Sequence, residues 1–140
     1  MKHFLVFLSL LSTFSLSAQD WLIDGSSYKS TAQTTHEGKR LELTNGLLRR
    51  TFLLAPNAAT IAFDNLMTGQ NELRAVRPEA LLVINGKEYP VGGLTGQPVN
   101  NFLTEEFINN MQACDSAFML VDYQISESKE RFPWKPNSQW

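Results

Sequence analysis

Cysteine and histidine are both scarce in this chain of 140 residues, which contains one cysteine, Cys114, and two histidines, His3 and His36. A single cysteine cannot form a disulfide within the chain, so the fold must be held together by packing. A structural zinc site needs four cysteine or histidine ligands, and this chain has too few of them. The composition therefore excludes both of these common ways of stabilising a small domain.

Long apolar runs are lacking as well. The run from Phe4 to Leu16 is shorter than the roughly 20 residues that a transmembrane helix needs. Lys2 precedes it and small residues follow it as far as Ala18, a pattern typical of a secretory signal peptide. We predict that residues 1–18 are cleaved and that the protein is secreted or periplasmic, in a bacterium, with no membrane contact afterwards. A buried N-terminal helix or an uncleaved anchor is the alternative.

An excess of positive charge is the third thing missing. Twelve lysines and arginines stand against fourteen acidic residues, which gives a net charge of −2 at pH 7. Proteins that bind nucleic acid or anionic lipid usually carry a basic excess. The charge therefore predicts neither nucleic acid nor a membrane surface as a partner.

What is present is a set of signals for β-strands. Asn45-Gly46 separates the apolar-patterned residues 40–44 and 47–54, and Asn85-Gly86 separates residues 81–84 and 87–91. Asn-Gly between two such runs favours a type I′ hairpin, because both central residues of that turn need a positive φ. Two further strands are predicted at residues 59–63 and 118–125.

One short helix is predicted after Thr104, whose side chain is a suitable N-cap. Glu105 in the first turn suits the positive end of the helix dipole, and Leu103 is placed to contact Ile108 as a hydrophobic staple. Together these elements predict a mainly β fold, an antiparallel β-sandwich over residues 19–126 with one short helix. Residues 127–140 are predicted to be an irregular tail and a possible truncation point.

Residues that could carry catalysis are few and isolated. His36 has no second histidine near it in the sequence, and Cys114 has no neighbouring cation to lower its pKa. Asp64, Glu72 and Asp122 lie near strand ends, but the sequence does not show which carboxylates converge as a glycoside hydrolase would require. We predict no catalytic residue and no metal ligand, so activity of the chain alone is uncertain.

The glycine-rich stretch at residues 92–98 does not change that prediction. It lacks the Lys-Ser/Thr ending of a phosphate-binding loop, and it indicates a connection between strands instead. No cofactor is predicted. For carbohydrate binding, the candidates are Trp21 and Trp134 as stacking platforms, with Arg74 and Arg77 as hydrogen-bond donors, although packing or solvation is the simpler role for each.

Several segments resemble the N-terminal region of secreted bacterial α-galactosidase-like glycoside hydrolases, the family 36 or melibiase group. They are residues 43–52 (LTNGLLRRTF), 55–60 (APNAAT), 64–69 (DNLMTG), 73–80 (LRAVRPEA) and 92–98 (GGLTGQP). In that family this region is a β-sandwich that precedes a (β/α)₈ barrel, and the catalytic aspartates lie in the barrel. The resemblance therefore implies a non-catalytic domain that packs on a barrel, with residues 64–78 facing the site.

Three functions stay open at this point. The first is the non-catalytic sandwich portion of an α-galactosidase-like enzyme, which predicts exposed apolar surface where the barrel docks. The second is a free-standing carbohydrate-binding sandwich, which predicts a closed surface with aromatic rings along a groove. The third is a periplasmic interaction module, which predicts an unpaired strand edge.

Overall fold

The computed structural model describes residues 21–99, 101–127, 129, 132 and 133. The predicted signal peptide, the candidate Trp134 and most of the predicted tail lie outside the described residues. Within them, the chain forms nine strands and one helix.

A five-stranded sheet occupies the first part of the described chain. Its strands follow one another in sequence order, and each neighbouring pair is antiparallel. This meander arises because every connection is a short turn, which can join only adjacent antiparallel strands. The strands are β1 (Thr31–Thr35), β2 (Arg40–Thr44), β3 (Leu48–Leu53), β4 (Ala59–Asn65) and β5 (Gln70–Asn71).

Two small antiparallel sheets and the helix make up the rest. Strands β6 (Ala80–Ile84) and β7 (Lys87–Val91) form a hairpin. Strand β8 (Leu94–Thr95) pairs with β9 (Gln112–Ala113), and the helix α1 (Glu105–Asn110) lies between them in the chain. The described chain is thus mainly β, with antiparallel pairing and one short helix, and the predicted fold class is confirmed.

The core lies between α1 and one face of the five-stranded sheet. Leu53 and Ala59 are opposite each other on β3 and β4, and Ile61 lies beside them. A register shift between Thr51 and Phe52 leaves Ile61 without a direct partner, and Ile61 shares the cluster with Ala59, two positions earlier on β4. The other buried members, from the helix and the loops, are Val76, Leu94, Ile108 and Met111.

The helix begins as predicted. Thr104 is its N-cap, and the Thr104 hydroxyl accepts a hydrogen bond from the Phe107 backbone N–H at 3.3 Å. Leu103 packs against the core cluster that contains the buried Ile108. The Glu105 carboxylate accepts hydrogen bonds from both terminal guanidinium nitrogens of Arg40 on β2, at 3.1 and 2.5 Å. These bonds attach the helix to the sheet face.

The two Asn-Gly pairs form different turns. Asn85 and Gly86 both have positive φ, and Ile84 pairs with Lys87 across a two-residue loop, as the type I′ prediction requires. The same prediction is wrong for Asn45, whose φ is not positive. There the Asn45 side-chain oxygen accepts the backbone N–H groups of Leu47 and Leu48, at 3.0 and 2.8 Å, which produces a longer loop between Thr44 and Arg49.

The strand predicted at residues 118–125 does not form, apart from one isolated bridge between Phe118 and Val91. Alternating apolar residues indicate which side chains share a face, but a strand also needs a neighbour with free backbone groups. Here Phe118 bonds to the backbone at the end of β7, but Leu120 is bound by a side chain instead. Buried Asn57 accepts the Leu120 N–H at 2.8 Å and donates to the Phe118 carbonyl oxygen at 3.2 Å.

Candidate binding cavity and exposed apolar surfaces

A cavity of about 640 Å³ lies between residues 73–77 and the segment that runs from β8 to the start of α1. Its volume is in the range typical of small-molecule sites. Val76 and Leu94, both buried in the core, form part of its wall. The cavity is therefore supported by the packed part of the domain.

Gln97 holds the two walls of this cavity together. The Gln97 amide nitrogen donates to the carbonyl oxygens of Arg74 and Asn101, at 3.1 and 3.3 Å. Its amide oxygen accepts the Val76 backbone N–H at 3.0 Å. One side chain thereby fixes the backbone of both segments.

Two of the residues predicted for carbohydrate binding, Arg74 and Arg77, line this same cavity. The Arg74 guanidinium donates to the Asn71 carbonyl oxygen at 2.5 Å. Trp21 is 46% exposed but does not line the cavity, and Trp134 lies outside the described residues. The structure thus brings together two of the four predicted residues.

Two other residues of the cavity, Gln97 and Phe102, were not among the predicted binding residues. Phe102 lines the cavity and is 82% exposed, so its ring is accessible to solvent. The local signal for Gln97 is its place between Gly96 and Pro98, since glycine permits a turn there and proline restricts the backbone. The role of Phe102 depends on which segment folds opposite it, and no local pattern indicates that.

A second, smaller cavity on the helix side of the sheet is lined by charged residues that are bound to one another. The Arg49 guanidinium donates to the Asp64 carboxylate at 3.0 Å, and Thr35 donates to Glu42 at 3.1 Å. The hydrogen bond and charge of Arg40 lower the pKa of Glu105. Asp64, one of the carboxylates considered for catalysis, is therefore engaged in an ion pair.

The isolated nucleophile candidates lie in ordinary surroundings. His36 is exposed in the turn between β1 and β2. Cys114 is half-buried, and the nearby Ser116 hydroxyl, 3.4 Å from Sγ, lowers the pKa of Cys114. In the part of the chain that the structure describes, no group of three histidine, cysteine or acidic residues could hold a metal ion.

The β6–β7 hairpin presents an apolar surface of a different kind. Four consecutive residues of β6, from Leu81 to Ile84, are each 44% to 66% exposed. Successive residues of a strand point to opposite faces, so the hairpin is open on both. A continuous apolar run of this kind is typical of a strand that is buried on both faces.

One edge of this hairpin is free among the described residues. Strand β6 has only β7 as its neighbour, whereas the far side of β7 is bound by Phe118, whose N–H donates to the Pro90 carbonyl oxygen at 2.8 Å. The hairpin therefore offers both apolar side chains and an edge of unpaired backbone groups.

The second face of the five-stranded sheet carries a further apolar groove of about 1060 Å³. Leu43, Leu48 and Phe63 line it from the sheet, and each is more than a third exposed. The irregular residues 123–127 line it from the other side. A β-sandwich covers such a face with a second sheet, and no second sheet lines this groove in the described part of the chain.

Within the described ranges, no helix is long and apolar enough to span a membrane. Comparison of the chain with protein families, curated proteins and solved structures found no match. The described residues thus form a mainly β, antiparallel fold with one helix, a cavity lined by Arg74 and Arg77, and exposed apolar surfaces on the hairpin and on the five-stranded sheet.

Proposed function

We propose that this chain is the non-catalytic β-sandwich portion of a secreted α-galactosidase-like carbohydrate-active enzyme, and that it packs on a catalytic (β/α)₈ barrel. The observation that carries the proposal is the β6 run from Leu81 to Ile84, which is apolar on both faces and exposed on both. The barrel is the occupant that the sequence resemblance implies for this surface.

An exposed apolar run of this kind is energetically costly to leave in water. Full burial of a leucine, valine or isoleucine side chain contributes about 1.5–3 kcal/mol. A stable interface between domains or proteins buries at least about 1,000 Å² of surface in total. The hairpin together with the apolar groove on the five-stranded sheet offers two faces from which such an interface can be built.

The state of the charged residues agrees with a non-catalytic role. Asp64 is bound by Arg49, and the Glu79 carboxylate is bound by Arg50 and by the Thr60 N–H, the latter at 2.7 Å. A retaining or inverting glycosidase needs two free carboxyl groups. One protonates the glycosidic oxygen, and the other attacks the anomeric carbon or activates a water molecule. Both of these carboxylates instead hold strands together.

The test compares the purified chain with the native secreted material. An antibody against the chain is used to isolate the native protein, and both samples are assayed for sugar release from melibiose and raffinose. We expect release from the isolated native material and none from the chain alone. Release by the chain alone would overturn the non-catalytic assignment.

A pair of variants tests the docking surface. Leu81→Ser combined with Val83→Ser, introduced into the native gene, should abolish the α-galactosidase activity recovered with the antibody. Ile23→Ser with Val121→Ser is the matched control, because these apolar residues are also exposed but lie outside the hairpin and outside residues 64–78. Equal activity from both double variants would show that the hairpin does not dock the catalytic domain.

The alternative function is a free-standing carbohydrate-binding module. It is favoured by the cavity that Arg74, Arg77 and Phe102 line, since sugar sites combine an aromatic face with hydrogen-bond donors. The two exposed apolar surfaces argue against a free-standing module. The binding module would be supported over the enzyme portion if the native protein contains this chain alone, binds sugar and releases no sugar from the substrates.

A further inference from the structure

We propose that the cavity lined by Arg74 and Arg77 is a binding site for the carboxylate of an acidic saccharide, a uronic acid. The inference deepens the proposed function by naming a ligand class, and it rests on that function only in taking the ligand to be a saccharide.

The two cavity arginines differ from the sheet arginines in their partners. Arg40, Arg49 and Arg50 on the sheet are each paired with a carboxylate, which belongs to Glu105, Asp64 and Glu79 respectively. Among the described residues, no carboxylate pairs with Arg74 or Arg77. Ion pairs thus neutralise the arginines of the sheet, whereas the two cavity arginines are available to bind an anion.

The nearest acidic residues in the sequence are Glu72, two before Arg74, and Glu79, and neither lines the cavity. Glu79 is two residues from Arg77, but its carboxylate accepts from Arg50 and from both the N–H and the hydroxyl of Thr60, the latter two at 2.7 Å each. No aspartate or glutamate is among the residues that line the cavity. The lining therefore carries two positive charges and no negative one, in a chain whose net charge is −2.

The shape and chemistry of the cavity also suit a uronic acid. An arginine has five N–H donors in a planar fork that matches a carboxylate, and Arg74 uses one of its donors on the Asn71 carbonyl oxygen. Phe102 offers an exposed ring for the C–H face of a pyranose. Gln97 fixes the backbone on both sides, so the walls are ordered before a ligand arrives.

The experiment titrates the purified chain with D-galacturonate, D-galactose and inorganic phosphate by calorimetry, at low and at high ionic strength. We expect saturable binding of galacturonate, with galactose and phosphate each at least about tenfold weaker, since each lacks one half of the recognised ligand. Binding of galacturonate should weaken as salt is added, because exposed charges are screened.

Variants assign the binding to the cavity. Arg77→Gln and Arg74→Gln should each weaken galacturonate binding about tenfold or more, and Arg77→Lys should recover only part of it, because lysine lacks the planar fork. Lys29→Gln is the matched control, since it removes one exposed positive charge outside the cavity. Circular dichroism of each variant checks that the fold is retained.

Each other outcome overturns a defined part of the inference. Equal binding of galactose and galacturonate overturns selectivity for an acid and leaves a carbohydrate site. Equal binding of phosphate and galacturonate overturns the saccharide and leaves an anion site only. Absence of galacturonate binding, or equal loss in Lys29→Gln and Arg77→Gln, overturns the inference entirely, while the docking proposal is still decided by the hairpin variants.

Discussion

The five-stranded sheet and the β6–β7 hairpin are both antiparallel and both rich in leucine, yet their leucines lie in opposite environments. Leu53 of β3 is 8% exposed, because α1 and the residues around Val76 cover that face of the sheet. Leu81 of β6 is mostly exposed on a hairpin that no other described sheet covers. The comparison shows that an apolar strand is buried only where the chain supplies an element to cover it.

The two regions also differ in how their charges are used. Of the three arginine–carboxylate pairs, one joins β3 to β4 within the five-stranded sheet, and the other two hold that sheet to the helix and to the residue before β6. The hairpin has instead a contact between the Lys87 ammonium and the Tyr89 ring, at 5.1 Å. The sheet is stabilised from within, whereas the hairpin is suited to gain its stability from a partner.

The largest expected effect comes from the same change made in both regions. Leu53→Ala should lower the free energy of unfolding by about 3 kcal/mol, since it removes buried methyl groups and leaves a cavity. Leu81→Ala should change it by less than about 0.5 kcal/mol, because that side chain is already in water. Urea unfolding of both variants measures this, and similar losses would break the comparison.

The junction between the two regions depends on Gly93, and its replacement is expected to have the next largest effect. Gly93 has a φ of +84°, and a Cβ there would lie 2.8 Å from backbone atoms of Pro78. Gly93→Ala should therefore cost about 2 kcal/mol or more, the strain of a left-handed residue plus a steric clash.

Gly86 in the hairpin turn is the control for this change. Its φ is +77°, but a Cβ there would meet nothing within 4 Å. Gly86→Ala should cost about 1 kcal/mol, from backbone strain alone. Thermal unfolding of the two variants separates the clash from the strain, and equal midpoints would show that the junction is not tightly packed.

A buried side chain adds to the two backbone hydrogen bonds of Phe118 in holding residues 118–120 in place. Asn57 is 1% exposed, and Asn57→Ala would leave the Leu120 N–H without its hydrogen bond. The expected loss is about 2 kcal/mol, the cost of an unsatisfied buried group. Asn101→Ala, at an exposed position, should have little effect in the same denaturation experiment. A similar result for both variants would contradict the role of Asn57.

The smallest effect concerns the ion pair between Arg40 and Glu105. Because Arg40 lowers the pKa of Glu105 in the folded state, the pair stabilises the fold above the ordinary pKa of a glutamate, about 4.3. This contribution is lost as the pH falls through the lowered pKa. Solvent exposure of Glu105 limits the contribution to about 0.5 kcal/mol.

Urea unfolding at several pH values checks the sign of this effect. Glu105→Gln should be less stable than the original chain at pH 7, and the difference should shrink toward pH 3. The exposed Glu106→Gln is a suitable control, since Glu106 is beside Glu105 but has no ion pair among the described residues. A difference that grows as the pH falls would contradict the assignment.

Local chemistry explains which predictions of the fold were correct. The Asn85-Gly86 hairpin and the Thr104 helix cap each depend on residues within a few positions, so the sequence contains what they need. The strand predicted at residues 118–125 failed because strand formation needs a distant partner. The turn at Asn45 differs because the Asn45 side chain binds nearby N–H groups and competes with the type I′ geometry.

The candidate site was predictable only in part for the same reason. Arg74 and Arg77 were identified because both are cationic and both lie beside one turn. Gln97 and Phe102 come from a segment twenty or more residues away, and only folding brings that segment against the arginines. Trp21 was a candidate by residue type alone, and the structure does not place it at the cavity.

The sequence by itself determined the antiparallel β class, the position of the single helix and the hairpin at Asn85-Gly86. Each follows from patterns over short distances, in which a side chain acts on its own backbone or on a residue a few positions away. The tertiary structure decided which apolar strand is covered, which carboxylate pairs with which arginine, and that two arginines line a cavity without acids. These depend on contacts between residues far apart in the chain, and such contacts exist only once the chain has folded.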